Sequence, residues 1–174
     1  MLLYVLFDLV KNGEFISEFS AEKVAYFLQR FGARDVFNLD YKQHFYGPYS
    51  GKVKHVLYYL NGSYITGYSS KDKIPFEELD LILDSETDII DFLNKSENKL
   101  YKAIADKTKT FLSGFYSNFG LELLSTVDYI RENYKLNTVE KIIEKMEEWN
   151  ERKRTLFATK PDFVKIALDN IKEI

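Results

Sequence analysis

From Thr87 onward the apolar residues recur at helical spacing, which commits half of the 174 residues to helix before any other feature is weighed. The periodicity predicts helices over 88–94, 98–116, 121–134, 139–156 and 161–171. Val139, Ile142, Ile143, Met146 and Trp149 form the inward stripe of the fourth. Asn137 followed by Glu140 resembles a capping box at its start, and Pro161 suits the first turn of the last helix.

The front of the chain reads differently. Residues 2–12 make a short apolar helix stopped at Asn12-Gly13, and Ser20 is placed to cap a second. In that second helix Val24, Phe27, Leu28 and Phe31 share one face, and Gly32 closes it. Residues 36–45 roughly alternate and predict a strand, followed by a turn at Gly47-Pro48-Tyr49-Ser50. A helix over 52–60 leads through Asn61-Gly62 into a strand at 63–68. A partner strand at 79–83 lies across the loop 69–75. The expected class is therefore mainly α with a small antiparallel sheet, an α+β arrangement with a winged-helix-like front (1–96) and a helical back (97–174). No linker, repeat or low-complexity run divides the two, so 1–174 is read as one domain.

Composition excludes several kinds of chemistry. Cysteine is absent, which removes disulfides, thiolate metal sites and a cysteine nucleophile and suits a cytoplasmic setting. His44 and His55 are the only histidines; His44 is expected at a strand end and His55 on the polar side of its helix. Neither has a second histidine at metal-ligand spacing, and no Gly-x-Ser-x-Gly elbow, Walker A sequence or G-x-G-x-x-G occurs. No catalytic, metal or cofactor residue is assigned. A net charge of −3 with no Lys/Arg-dominated segment disfavours direct nucleic-acid binding. No run approaches the roughly 18 apolar residues of a membrane span. The apolar start lacks a basic n-region and meets Asp8 before any small-residue cleavage site, so it reads as helix rather than leader.

Two features remain. Glu77, Glu78, Asp80, Asp84, Glu86, Asp88 and Asp91 follow one another without an intervening Lys or Arg. Such a run is either a solvated edge or a surface complementary to a basic partner. Aromatic residues make up 16% of the chain, and Tyr41, His44, Phe45, Tyr46, Tyr49, Tyr58, Tyr59, Tyr64 and Tyr68 cluster in one stretch. Part of that cluster belongs to the core, while tyrosine is also a frequent anchor of binding faces. His44, Tyr46, Tyr49 and Tyr58 with Glu77, Glu78, Asp80 and Asp84 are the candidate partner-binding residues. By contrast Glu140–Arg154, with Glu148 and Arg152 at i, i+4, reads as an ordinary exposed helix face.

Several segments resemble one family. Ala25-Tyr26-Phe27-Leu28-Gln29-Arg30-Phe31-Gly32, His44-Phe45-Tyr46-Gly47-Pro48-Tyr49-Ser50 and 56–68 are similar to the C-terminal domain of DarG antitoxins. So are Gly114-Phe115, Leu121-Glu122-Leu123-Leu124-Ser125-Thr126-Val127 and Trp149-Asn150-Glu151-Arg152-Lys153. The likeness runs from about residue 20 to 170; Tyr-Phe-Leu-Gln with Tyr-Gly-Pro-Tyr also resembles the broader Panacea antitoxin domains. The resemblance implies a domain that binds and blocks DarT, a toxin that transfers ADP-ribose from NAD onto bases of single-stranded DNA, by imitating the DNA. In that family a macrodomain removes the modification. No such domain fits before residue 20, so the inhibitory role is carried over without the hydrolase, and continuity with a macrodomain in a longer parent is expected. The alternatives are a fragment of a DNA ADP-ribosyl glycohydrolase and a winged-helix DNA-binding regulator.

Overall fold

A computed structural model describes residues 1–68 and 74–172; most of the loop 69–75 lies outside the described residues. The chain is mainly helical with two short antiparallel strand pairs. Helices α1 (Leu2–Lys11) and α2 (Glu18–Leu28) are followed by a wide turn at Gln29–Ala33 and a single turn, α3 (Arg34–Phe37). Strands β1 (Lys42–His44) and β2 (Gly47–Tyr49) form a hairpin, and α4 (Val53–Leu60) leads into β3 (Ile65–Thr66), which pairs with β4 (Asp80–Leu81). The back comprises α5 (Ser85–Asn94), α6 (Lys99–Leu112), α7 (Asn118–Tyr134), α8 (Val139–Trp149), α9 (Glu151–Lys153) and α10 (Pro161–Lys172).

Helix α7 is the central element, packed by α2, α8, α10 and β2. Its residues Gly120–Asp128 are all buried, so Leu121, Leu123, Leu124 and Val127 face different neighbours around the helix. A helix covered on all sides must also bury its polar residues, here Glu122, Ser125, Thr126 and Asp128. Around it, α8 is amphipathic, with Ile142, Met146 and Trp149 buried and its acidic face outward. Helix α1 joins the core through α2, α5 and α6, and Phe7, Ile89 and Leu93 form a satellite cluster beneath α5.

Local chemistry moves several expected boundaries. Ser17, not Ser20, is the N-cap of α2: its Oγ accepts from the Ser20 amide while Ser20 Oγ accepts from the Ser17 amide. Thr138, not Asn137, caps α8. The strand expected over 36–45 shrinks to Lys42–His44, because Arg34–Phe37 complete a helical turn that ends at Asn38 in the left-handed region. Gly47-Pro48-Tyr49 is strand rather than turn; the tight turn falls one step earlier, at Phe45-Tyr46. The helix expected over 139–156 breaks at Asn150, whose backbone is extended and whose side chain caps α9. The helix expected over 98–116 stops at Leu112.

Gly120 shows how closely α7 is fitted. A Cβ there would stand 2.7 Å from the Phe115 carbonyl oxygen and 2.9 Å from its Cα. Alanine in place of helical glycine ordinarily stabilises by about 1 kcal/mol, yet a backbone clash of this kind costs about 1–3 kcal/mol. Gly120→Ala should therefore lower the urea midpoint of unfolding, and a raised midpoint would show that the Phe115 backbone yields.

Candidate binding site at the β1–β2 hairpin

The hairpin is held from the helical back by a set of directed contacts. Trp149 Nε1 donates to the His44 carbonyl at 2.9 Å, Asn150 Nδ2 to the Phe45 carbonyl at 3.1 Å and Tyr134 Oη to Gln43 Oε1 at 2.9 Å. The break at Asn150 brings Arg152 and Lys153 to the Glu122 carboxylate, while Glu151 stays in solvent. Arg152 donates from Nε and a terminal nitrogen to the Glu122 carboxylate at 3.0 and 2.8 Å, and Lys153 donates to the same carboxylate. Glu122 and Lys153 are 1% and 0% exposed, while the Arg152 guanidinium also covers the Tyr46 ring at 5.1 Å. The expected pairing of Arg152 with Glu148 is thus corrected: Glu148 pairs with Lys145, and Arg152, partly exposed, turns to the buried Glu122.

Burial alone would raise the Glu122 carboxyl, but hydrogen bonds from Arg152 and the charge of Lys153 outweigh it and hold the group below its usual range. Burial pushes Lys153 down to about 8, helped by the neighbouring Arg152 charge and opposed by the Glu122 carboxylate. A second buried carboxylate, Asp128, accepts from Tyr26 Oη at 2.6 Å and from Arg30 Nε at 2.7 Å. The third polar link is Lys23, whose Nζ donates to the Pro48 carbonyl at 2.7 Å. Gly47 is required at this point twice over: its φ is 101°, and a Cβ would lie 3.0 Å from Thr126 Oγ1 and 3.4 Å from Lys23 Nζ.

Between α2 and the hairpin lies a cavity of about 150 Å³, lined by Glu18, Phe19, Glu22, Lys23, His44, Tyr46, Gly47, Tyr49 and Pro75. Three of the candidate residues, His44, Tyr46 and Tyr49, meet here. His44, at the end of β1, is exposed and its ring lies 4.8 Å from that of Tyr49. Tyr46 is half-buried against Phe76 and Phe45, at 4.9 Å from each. Glu18 and Glu22 stand one turn apart on α2, with Glu18 accepting from Tyr68 Oη at 2.9 Å. Glu22 is 2% exposed; its Oε2 accepts from the Ser50 amide at 3.2 Å, and its Oε1 has no partner. Burial pushes the Glu22 carboxyl up to about 8 against the opposing pull of the Ser50 amide and Lys23, and burial likewise brings Lys23 down to about 7.

The remaining candidates lie elsewhere. Tyr58 is 61% exposed on α4 beside Tyr59, which is 83% exposed. Glu77, Glu78, Asp80 and Asp84 are exposed along β4 and its flanks, as are Asp88 and Asp91 on α5, while Glu86 pairs with Lys11. His55 is exposed on α4. No group of three or more His, Asp or Glu among the described residues is arranged to hold a metal ion. The residues that sequence reasoning passed over are Glu18, Glu22, Lys23 and the Glu122–Lys153 pair. The available signal was the apolar residues on every side of 121–127, which leave Glu122 no route to solvent.

Two outcomes follow from these charges. Glu122→Gln leaves Lys153 and Arg152 facing a neutral amide and should cost about 3–5 kcal/mol in urea unfolding; a loss below about 1 kcal/mol would mean that the cluster relaxes to water. Glu22 behaves in the opposite sense. The folded form holds its proton up to about pH 8 while the unfolded form releases it near 4.5, so its contribution is present below 4.5 and is lost as pH rises through 8. Relative to Glu22→Gln, the wild type should lose about 1–2 kcal/mol between pH 5 and 6.5, below the range in which Lys23 titrates. A pH-independent difference would place the Glu22 carboxyl in water.

No family model matches the chain. Three proteins named DNA ADP-ribosyl glycohydrolase are similar to it. That of Thermus aquaticus is 29% identical over 157 residues, and those of Mycobacterium bovis and Mycobacterium tuberculosis are each 24% identical over 159. Each alignment covers 90% of this chain, whereas the chain spans 41–44% of the length of these relatives. The chain is thus related to part of the DNA ADP-ribosyl glycohydrolases.

Proposed function

We propose that this chain is a toxin-neutralising binding domain, continuous with a macrodomain in a longer parent. In this reading it acts in the cytoplasm by occupying the single-stranded DNA site of a DarT-type ADP-ribosyltransferase. The observation that carries the reading is the exposure of acidic and aromatic groups together. Glu77, Glu78, Asp80, Asp84, Asp88 and Asp91 stand in solvent, and Phe45, Tyr58 and Tyr59 present half or more of their surface. A groove built for single-stranded DNA offers cations to phosphates and flat pockets to bases. Carboxylates and rings on a rigid scaffold complement both. The similarity to proteins that act on ADP-ribosylated DNA supports the choice of partner.

A second reading is favoured by the relatives' name: the chain contributes to a glycohydrolase rather than to toxin binding. Release of ADP-ribose from modified DNA by the purified chain, abolished by one substitution in it, would decide for that reading.

On the binding reading, single-stranded DNA and this chain compete for the toxin. Charge acts mainly on association and is screened by salt, whereas buried anchors govern dissociation. Replacing Glu77, Glu78, Asp80 and Asp84 together by Ser should slow association most at low salt. Tyr58→Ala should instead speed dissociation, by an amount worth about 2 kcal/mol if it is a hot spot. Simultaneous binding of DNA and the chain to the toxin, seen by surface plasmon resonance, would rule out occupation of the groove.

A further inference from the structure

We infer that the cavity between α2 and the β1–β2 hairpin is a socket for the guanidinium of an arginine supplied by a protein partner. The inference rests on the binding reading above and adds to it a specific point of attachment. A buried polar atom in a native fold is almost always paired. Glu22 Oε1 is not, although its side chain is closed off from solvent and its other oxygen is fixed by the Ser50 amide. Glu22 lines the cavity, and Glu18 lines it from the preceding turn of the same helix.

The walls specify the shape and sign of the occupant. Tyr46, Tyr49 and His44 supply aromatic surface, and ring faces attract cations, a planar guanidinium most of all because it also stacks. The hairpin already uses this pairing once, where the Arg152 guanidinium covers Tyr46 from the side of α9. An anionic occupant would meet the Glu18 carboxylate and gain nothing from Glu22, whereas a guanidinium would draw the proton from the Glu22 carboxyl and pair with the carboxylate left behind. The ammonium of Lys23 also lines the cavity but is engaged by the Pro48 carbonyl at 2.7 Å. The room, about 150 Å³, is that of a cavity known to take a benzene-sized group, which suits one flat head and its stem. A partner whose groove neutralises phosphates carries arginines at its surface.

The test uses two probes on the purified chain. First, n-butylguanidinium is titrated against the isotope-labelled protein, with n-butanol as the uncharged control. Saturable amide shifts at Gly47, Tyr49 and Ser50 are expected with the cation only, and they should vanish in Glu22→Gln. The rest of the variant's spectrum, unchanged, shows that it is folded. Second, the affinity for a DarT-type toxin should fall at least tenfold in Glu22→Gln. Shifts that persist in the variant, or that appear equally with n-butanol, overturn the socket. A toxin that binds wild type and variant alike overturns the socket and leaves the neutralising role standing. A toxin that binds neither overturns that role, and the guanidinium titration alone then decides whether the cavity takes the cation.

Discussion

One carboxylate, that of Glu122, ties the two halves of the back to each other and to the hairpin. It stands in the second turn of α7, buried from water, and serves two cations from the short helix that follows the break at Asn150. Such an arrangement is not a cheap source of stability, since three groups lose hydration to form it. Its effect is positional. Arg152 and Lys153 reach Glu122 only if α8 ends where it does, and ending there places Trp149 and Asn150 against the carbonyls of the hairpin turn.

The hairpin in turn depends on what lies beneath it. Lys23 grips the Pro48 carbonyl from α2, Gly47 is pressed against Thr126 of α7, and Arg152 roofs Tyr46. A buried lysine, a threonine hydroxyl and a partly buried arginine thus approach an eight-residue element, Lys42–Tyr49, from three helices. The result is a short hairpin tied down at several points along its backbone, and a pre-ordered element of this kind loses less entropy on binding than a free loop. The acidic edge along β4 and α5 is built on other lines. Its carboxylates are mostly solvated, which suits long-range steering rather than a fixed contact.

The helical back was legible because its periodicity is local, and α1, α4 and α10 needed nothing more than their own stripes and stops. The errors fall where tertiary contacts override a local preference. Val36 and Phe37 read as strand from alternation but finish a helical turn, and Pro48 read as turn but occupies a strand whose carbonyl serves Lys23. Arg152 at i+4 from Glu148 had the spacing of a surface pair, and only the break at Asn150 removes it from that register. At the site, aromatic clustering pointed to His44, Tyr46 and Tyr49, whereas Glu22 was invisible. A glutamate in a helix reads as surface unless the burial of every neighbour from Phe19 to Leu28 is known. The segments that resemble the antitoxin family, read one by one, are largely those that build the buried polar links. Tyr26 and Arg30 meet Asp128, Pro48 meets Lys23, and Glu122 meets Arg152 and Lys153.

The chain has a single tryptophan, and it sits at the joint between the hairpin and α8. Its indole is 8% exposed, edge-on to Tyr129 at 5.6 Å, with its nitrogen bonded to the His44 carbonyl. The fluorescence of the whole protein therefore reports one local event. Emission stays at short wavelength while the hairpin is seated and moves to the red when water reaches the indole. An undecorated sample thus carries its own optical gauge of whether the hairpin is in place.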